Sequence, residues 1–323
     1  MIASLLIALL SWANVDDRPA RGGTIQGVVV NGTRGNEPIG DVEVLLRAGP
    51  EGALAPVAAT RTDLYGKFVF EDVPLDPAIV YLPGADRDGV HYPGKRIRLD
   101  SANRFAHVTI VAFDGVEAPS PLIAERHEID VNVQQNVMEI SEAVAITNPS
   151  RATYVGAQLE AEQAVTLSLS VPPNFDRVTF GSEFYGRRFR IMDHQPVTDI
   201  PWPPGKRELR FSYRVPIEKS GGMFRRTLDM PSRNVTLRVR GKKAAELSCN
   251  LGLVKADKNA IVFTSAEELR AGHSIDLQIG TLPFPWLQYT RWGSLVALVA
   301  MTMATAAVLR RRDDVSPSAE RSG

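Results

Sequence analysis

Alternation between apolar and polar residues runs through most of this chain and constrains its fold more than any other feature. Glu128–Val133 reads EIDVNV, which places Ile129, Val131 and Val133 on one face, and Leu209–Val215 reads LRFSYRV with the same period. A period of two puts successive side chains on opposite faces of a strand and is typical of half-buried antiparallel sheets. The pattern therefore predicts an all-β chain.

The candidate strands are short, and clusters of glycine and proline such as LPGADRDG and WPPGKR separate them. Short strands at this spacing are typical of β-sandwiches. Further candidates are Thr24–Val30, Asp41–Leu46, Lys67–Phe70, Ala106–Ala112, Val165–Val171 and Asn234–Val239. One segment, Ser265–Ala271, predicts a helical turn or two instead, because Ser265 and Glu268 have the spacing of a capping box.

Two uninterrupted apolar runs lie near the ends of the chain. The first, residues 1–13, closes on Ser11 and Ala13, a small-x-small pattern that predicts a signal peptide, although no basic residue precedes the run. An N-terminal core segment is the alternative interpretation. The second, Gly293–Leu309, contains no charge and is just long enough to span a bilayer. Arg310–Arg312 follow it directly, which predicts a cytoplasmic C-terminal side.

A stretch without alternation, Val116–Glu125, contains two prolines and predicts a linker between two domains. Each domain would be large enough to bury a core. The expected architecture is two tandem β-sandwich domains followed by one transmembrane helix. In residue numbers we assign a signal peptide to 1–13, the first domain to 24–113, the linker to 114–125, the second domain to 126–280, a juxtamembrane stalk to 281–292, the transmembrane helix to 293–309 and a cytoplasmic tail to 310–323.

The first domain carries a motif in two parts. Residues 27–46 read GVVVNGTRGNEPIGDVEVLL, and residues 62–74 read TDLYGKFVFEDVP. This pattern resembles the carboxypeptidase regulatory-like domain, a transthyretin-like or starch-binding-like β-sandwich. The resemblance implies a scaffold or adhesion module, and the family name does not imply peptidase activity here. The matching positions are Gly27, Val29, Gly35, Pro38, Gly40, Val44, Thr62, Asp63, Gly66, Phe68, Phe70 and Pro74.

The chemistry of the motif residues suggests structural roles for them. Gly35 permits a turn conformation that residues with a Cβ resist. The Asp63 carboxylate can accept backbone N–H groups across a hairpin turn, and Gly66 can take the left-handed position of that turn. Phe68 and Phe70 are two residues apart, so they share one face of a strand and are expected in the core.

Composition and motifs argue against several classes of function. The 37 basic and 37 acidic residues give zero net charge, which argues against a nucleic-acid binder, because neutralising phosphates needs a basic excess or a basic face. Neither HExxH nor GxSxG occurs, and the five histidines are expected at the surface or at strand edges. Aspartates crowd two loops that could hold Ca²⁺, but they lack the alternation of a dedicated calcium loop. We expect no enzyme activity, no metal and no cofactor.

Aromatic residues supply the binding candidates. Tyr65 and Trp202 lie in turn sequences, where an exposed ring could stack on a sugar, whereas Tyr81 is expected in the core. Three roles remain open: an interaction module for another envelope protein, a carbohydrate-binding module, or an accessory or sensor subunit of an envelope enzyme. The expected location is the cytoplasmic (inner) membrane of a bacterial cell envelope, as a type I single-pass protein with its β domains outside. The expected partners are therefore the membrane and an envelope protein or glycan.

The charge asymmetry around the second apolar run predicts the orientation of the chain in the membrane. A reporter that is active only outside the cytoplasm should give a signal when fused after Gly280 and none when fused to Gly323. The arginines after the apolar run cause this difference, because they favour the cytoplasmic side. Reversed signals would contradict the type I orientation.

Overall fold

The computed structural model describes residues 22–134, 136–156, 164–181, 189–217, 222–242, 247–257 and 259–280, together with Met301. The predicted signal peptide, stalk and cytoplasmic tail, and the apolar run apart from Met301, lie outside these residues. No helix within the described residues is long and apolar enough to cross a membrane. Between residues 22 and 280 the described elements are strands and one short 3₁₀ helix, Gly32–Arg34, so the all-β prediction is confirmed there.

Residues 22–113, which we name the N-terminal β region, form two sheets. The strands are β1 (Gly23–Asn31), β2 (Glu37–Pro38), β3 (Glu43–Gly49), β4 (Ala55–Arg61), β5 (Lys67–Val73), β6 (Val80–Arg87), β7 (Val90–Pro93) and β8 (Phe105–Ala112). In one sheet β1 pairs antiparallel with β2 and β5 and in parallel with β8. The second sheet has the order β4-β3-β6-β7.

The inner faces of these two sheets enclose one apolar core. Ile25 on β1 and Val44 on β3 come from different sheets and are both fully buried in it. Phe68 and Phe70 belong to the same core, and their ring centroids lie 6.0 Å apart in an edge-to-face arrangement. The prediction that these two phenylalanines share a buried face is confirmed. Tyr81 is also buried, as expected.

The motif residues Thr62–Gly66 build the turn before β5. Asp63 Oδ1 accepts hydrogen bonds from the backbone N–H of Tyr65 at 2.9 Å and of Lys67 at 2.8 Å. Gly66 has a φ of 72°, and a Cβ there would lie 2.7 Å from the Val29 carbonyl oxygen. Thr62 Oγ1 accepts from a backbone N–H at 2.9 Å and donates to a backbone carbonyl at 2.8 Å. Both expected roles, the acceptor at Asp63 and the left-handed glycine, are present.

The other motif positions also lie at close contacts. Pro38 pairs with Val30 between β2 and β1, and Gly35 has a φ of 70°. The Pro74 carbonyl accepts a hydrogen bond from the Tyr81 hydroxyl at 2.8 Å. A Cβ added to Gly27 would lie 2.0 Å, and one added to Gly40 2.9 Å, from a backbone oxygen of the neighbouring chain segment.

A short connecting strand is followed by the strands of residues 123–280, which we name the C-terminal β region. These elements are β9 (Gly115–Val116), β10 (Ile123–Val133), β11 (Val137–Asn148), β12 (Thr153–Tyr154), β13 (Leu167–Ser168), β14 (Val178–Phe180), β15 (Phe189–Met192), β16 (Gln195–Thr198), β17 (Gly205–Pro216), β18 (Gly222–Thr227), β19 (Val235–Arg240), β20 (Leu247–Cys249), β21 (Leu253–Asp257), β22 (Ala260–Thr264) and β23 (Ser274–Ile279). The large sheet of this region has the order β14-β17-β11-β10-β19-β22-β21. Two three-stranded sheets, β18-β23-β20 and β13-β16-β15, accompany it.

The C-terminal β region has a core of its own. Ile140 on β11 and Leu209 on β17 contribute to it from the large sheet. Phe224 on β18 and Leu277 on β23 contribute from the β18-β23-β20 sheet. The two described cores are therefore separate clusters, one in each β region. Each follows from the alternation in sequence, because the apolar phase of every long strand faces inward.

Two sequence-based expectations for this region are wrong. Ser265–Ala271 forms no helix: Ser265 Oγ accepts a hydrogen bond from the backbone N–H of Val235, and Leu269 makes a β-bridge with Ser232. These contacts between distant segments outweigh the local capping signal. Of the candidate strand Val165–Val171 only Leu167 and Ser168 are paired as a strand.

The connection between the two β regions is tied down by contacts. Strand β9 pairs in parallel with β12, and the hydroxyl groups of Tyr92 and Thr153 lie 2.8 Å apart. Asp114 accepts hydrogen bonds from Arg34 at 2.9 Å, Asn31 at 2.9 Å and Arg87 at 2.7 Å. These bonds hold the start of the connection against the end of the N-terminal β region.

Truncating Phe68 should destabilise the N-terminal β region. Phe68→Ala should reduce the free energy of unfolding by about 3–5 kcal/mol, because the ring is buried and its loss leaves a cavity. Val69→Ala is the matched control: it changes the next residue of β5, which faces outward, and should cost within about 1 kcal/mol. Chemical denaturation of the full chain measures both, and equal stability of the two variants would contradict the core role of Phe68.

Candidate functional site

The turn at Asp63–Gly66, which we name the Leu64–Tyr65 turn, holds two of the three most exposed large apolar side chains in the described part of the N-terminal β region; the third is Phe105. Leu64 is 91% exposed and Tyr65 is 73% exposed. The Asp63 hydrogen bonds and the left-handed Gly66 fix the backbone that carries them. The structure thus places Tyr65 as expected, on an exposed and well-defined turn, and adds Leu64 beside it.

Trp202 is not an exposed platform. Its side chain is only 2% exposed and packs in the core of the C-terminal β region, with the guanidinium carbon of Arg207 5.3 Å from the centre of its ring. Its backbone pairs with Tyr154, and its carbonyl accepts a hydrogen bond from Asn148 Nδ2 at 2.8 Å. The expectation of a sugar-stacking ring at this position is therefore corrected, because these distant segments close over the tryptophan.

A group of buried ionisable side chains, which we name the buried ion cluster, lies in the C-terminal β region. Its members are Glu142, His127, Tyr213, Arg226 and Asp229. Glu142, His127 and Tyr213 come from three neighbouring strands of the large sheet, whereas Arg226 comes from β18 of the β18-β23-β20 sheet. The cluster therefore bridges the two sheets across the core.

Glu142 is the centre of this cluster. Its Oε1 accepts hydrogen bonds from Arg226 Nε at 2.9 Å and from the Tyr213 hydroxyl at 2.6 Å, and its Oε2 lies 2.7 Å from His127 Nε2. Arg226 also donates from Nη2 to Asp229 Oδ2 at 2.7 Å and from Nη1 to the Thr227 carbonyl. Every oxygen of the Glu142 carboxylate thus has a partner.

This geometry explains the electrostatics of the cluster. Desolvation would raise the pKa of Glu142, but the charge of Arg226 and the hydrogen bond to His127 outweigh it and hold the pKa at about 2. Burial, followed by the nearby Glu142 charge, raises the pKa of Tyr213 well above its ordinary value. The carboxylate therefore stays ionised and the phenol stays neutral at physiological pH. Such a fully satisfied arrangement serves structure better than proton transfer.

The prediction that all five histidines lie at the surface or at strand edges is wrong for His127, which is buried. A sequence signal for the buried ion cluster did exist. Glu142 has the same parity in β11 as Ile140 and Val144, and Arg226 has the same parity in β18 as Phe224, so both charges lie on buried faces. A charge in the apolar phase of a strand requires a partner in the core.

Two open clefts of about 380 Å³ each are present among the described residues. One lies at the connection between the β regions, beside Tyr92 and Val155, and the other lies on the outer face of the large sheet, beside Ser141 and Ser212. No group of three or more histidine, cysteine, aspartate or glutamate side chains in the described part of the chain is arranged to bind a metal ion.

No protein-family model and no curated protein sequence matches this chain. Partial structural matches include mutants of M1 zinc metallopeptidases. One is a two-domain enzyme bound to L-tryptophan, with 13% identity, a TM-score of 0.31 and coverage of 50% of this chain and 44% of that chain. Another, from Deinococcus radiodurans and bound to a Tyr-Ser-Ala substrate, has 12% identity, a TM-score of 0.30 and coverage of 49% and 42%. The match spans less than half of each enzyme and carries no inference about activity.

Removing the central carboxylate should destabilise the C-terminal β region strongly. Glu142→Gln should cost about 3–5 kcal/mol near neutral pH, because it leaves the buried Arg226 without one of its counter-charges. Glu139→Gln, an exposed change on the same strand, is the matched control. Chemical denaturation of the full chain gives both values.

The cost of Glu142→Gln should also depend on pH. The pKa of Glu142 is lowered in the folded chain from an ordinary 4.5 to about 2, so its ionisation stabilises the fold above about pH 4.5 and this contribution disappears as the pH falls towards 2. The difference in stability between wild type and Glu142→Gln should therefore narrow on acidification. A difference that is constant from pH 7 to pH 2.5 would contradict an ionised Glu142.

Proposed function

We propose that this chain is a non-catalytic, membrane-anchored protein of the cell envelope that binds another protein through the Leu64–Tyr65 turn. The observation that carries the proposal is the exposure of two large apolar side chains, Leu64 and Tyr65, on a turn of fixed backbone. Export and anchoring rest on the apolar runs at residues 1–13 and 293–309 and on the arginines that follow the second run.

Rigidity of the turn supports a binding role. Asp63 holds two backbone N–H groups of the turn, and Thr62 ties its start to the segment around Ile39 and Val42. A side chain presented on a fixed backbone loses less conformational entropy when it binds. Tyrosine anchors of this kind are enriched among the residues that dominate binding energy in protein interfaces.

The pair of side chains favours a protein partner over a glycan. A sugar site needs flat rings, and only Tyr65 remains of the two aromatic candidates now that Trp202 is buried. Leu64 is the more exposed of the two turn residues and offers a branched aliphatic group, which fits a pocket on a protein better than the face of a sugar. Binding to a glycan through Tyr65 alone is the second candidate.

A photo-crosslinking amino acid at Leu64 of the full chain in intact cells should capture one defined protein. Tyr65→Ala in the same chain should reduce the yield, because truncating an anchor tyrosine costs about 2 kcal/mol or more of binding free energy. The same crosslinker at Gln26, an exposed position on the outer face of β1, is the matched control and should not capture that protein.

The two candidate ligands give different results with purified components. A protein interface should be weakened by both Leu64→Ala and Tyr65→Ala. A glycan site should be lost in Tyr65→Ala and retained in Leu64→Ala, because only the aromatic ring stacks on sugar. If neither substitution changes the binding of any protein or glycan, the Leu64–Tyr65 turn is not the binding site.

A further inference from the structure

Strand β8 forms one edge of its sheet. It pairs with β1 in parallel through eight consecutive residue pairs, from Thr24 with Phe105 to Asn31 with Ala112, without a bulge. No other strand of the described residues pairs with β8. The segment that leads into it turns instead towards the second sheet, where Ile97 pairs with Tyr81. One long and regular edge of β8 is therefore left without a strand partner in this part of the chain.

The phase of the β1–β8 ladder identifies the backbone groups on this edge. The Arg104 carbonyl accepts a hydrogen bond from the N–H of Thr24 at 2.8 Å, so residues of even number in β8 direct their backbone groups towards β1. Residues of odd number direct theirs away from the sheet. The open edge therefore presents the N–H and C=O groups of Phe105, His107, Thr109 and Val111.

Other edges of the N-terminal β region carry features that discourage strand addition, and β8 carries none of them. Strand β4 contains Pro56 and faces a bulge, β7 is four residues long and ends on Pro93, and β5 has the charged residues Lys67 and Glu71. Prolines, bulges, charges and short length are the usual protections of a sheet edge. Strand β8 reads FAHVTIVA, with no proline, lysine, arginine or acidic residue.

We propose that β8 of one molecule pairs antiparallel with β8 of a second copy of this chain, so that two sheets become one across a two-fold axis. The register that pairs all four open-edge residues with one another places Val108 opposite Val108 of the partner. In that register the open-edge residues oppose one another as Phe105 with Val111 and His107 with Thr109. Exposed apolar side chains then meet apolar ones, and polar side chains meet polar ones.

The outer edge of β8 is complementary to itself, which favours a second copy of this chain over a strand of a different protein as its partner. A two-fold interface requires a surface that matches itself, and this strand satisfies that requirement on its outer face without placing like charges opposite each other. Phe105, which is 79% exposed, gains an apolar partner in this pairing. The proposal does not use the Leu64–Tyr65 turn and stands or fails independently of the proposed function.

The mass of the purified full chain, measured by light scattering over a range of concentrations, tests the dimer. His107→Lys combined with Thr109→Lys places lysines opposite lysines and should weaken association about tenfold or more through like-charge repulsion. Gln26→Lys is the matched control, because it adds a positive charge beside His107 on the same face but away from the edge. Mixing the double-lysine variant with the corresponding double-glutamate variant should restore a mixed dimer.

Disulfide formation tests the register. In a Cys249→Ser background, chains with His107→Cys and chains with Thr109→Cys should each give little covalent dimer alone and a several-fold higher yield when mixed. Opposed residues of a hydrogen-bonded antiparallel pair have Cα atoms about 5.5 Å apart, within disulfide range. A wild-type chain that stays monomeric and gives no mixed disulfide would overturn the proposal. A second result would also overturn it: the purified chain is monomeric, and the β8 edge variants abolish its capture of a different protein. The edge would then accept a foreign strand.

Discussion

The ion pair between Glu142 and Arg226 constrains the whole C-terminal β region. Both side chains are fully buried, and each comes from a different sheet. Two charges removed from water cost several kcal/mol each unless their geometry satisfies them completely. The strands that carry them must therefore lie at one distance and in one register. A shift of β11 by one residue would turn Glu142 outward and leave the buried Arg226 with Asp229 as its remaining counter-charge. We infer that the pair selects this arrangement of the sheets rather than adding much net stability.

Local sequence was sufficient for several of the long strands and for one turn. Alternation predicts the inner faces of β5, β10 and β17, and the Thr62–Gly66 motif predicts a turn whose hydrogen bonds are present in detail. Position along a strand also marks Glu142 as a buried charge, although only the structure identifies Arg226 as its partner. That pairing joins residues 84 positions apart, and a local pattern holds no information about such contacts.

Where the sequence misled, a distant segment outweighed a local signal. Trp202 stands between prolines in a segment typical of an exposed turn, yet its pairing with Tyr154 draws it into the core. Ser265 has the local features of a helix cap, but its hydroxyl oxygen accepts a hydrogen bond from Val235 in another strand. The candidate site therefore consists of Tyr65 and Leu64 instead of Tyr65 and Trp202. This pair of side chains favours an apolar contact over stacking on a sugar.

The parallel pairing of β1 and β8 has a mechanical consequence. The chain enters the N-terminal β region at one end of β1 and leaves it at the opposite end of β8, so a force that pulls on the chain acts directly on these two neighbouring strands. Tension along the chain would slide the two strands past each other and strain all of their hydrogen bonds together, whereas a hairpin pulled at its open end breaks them one at a time. The region is thereby arranged as a shear clamp that resists stretching between its two ends.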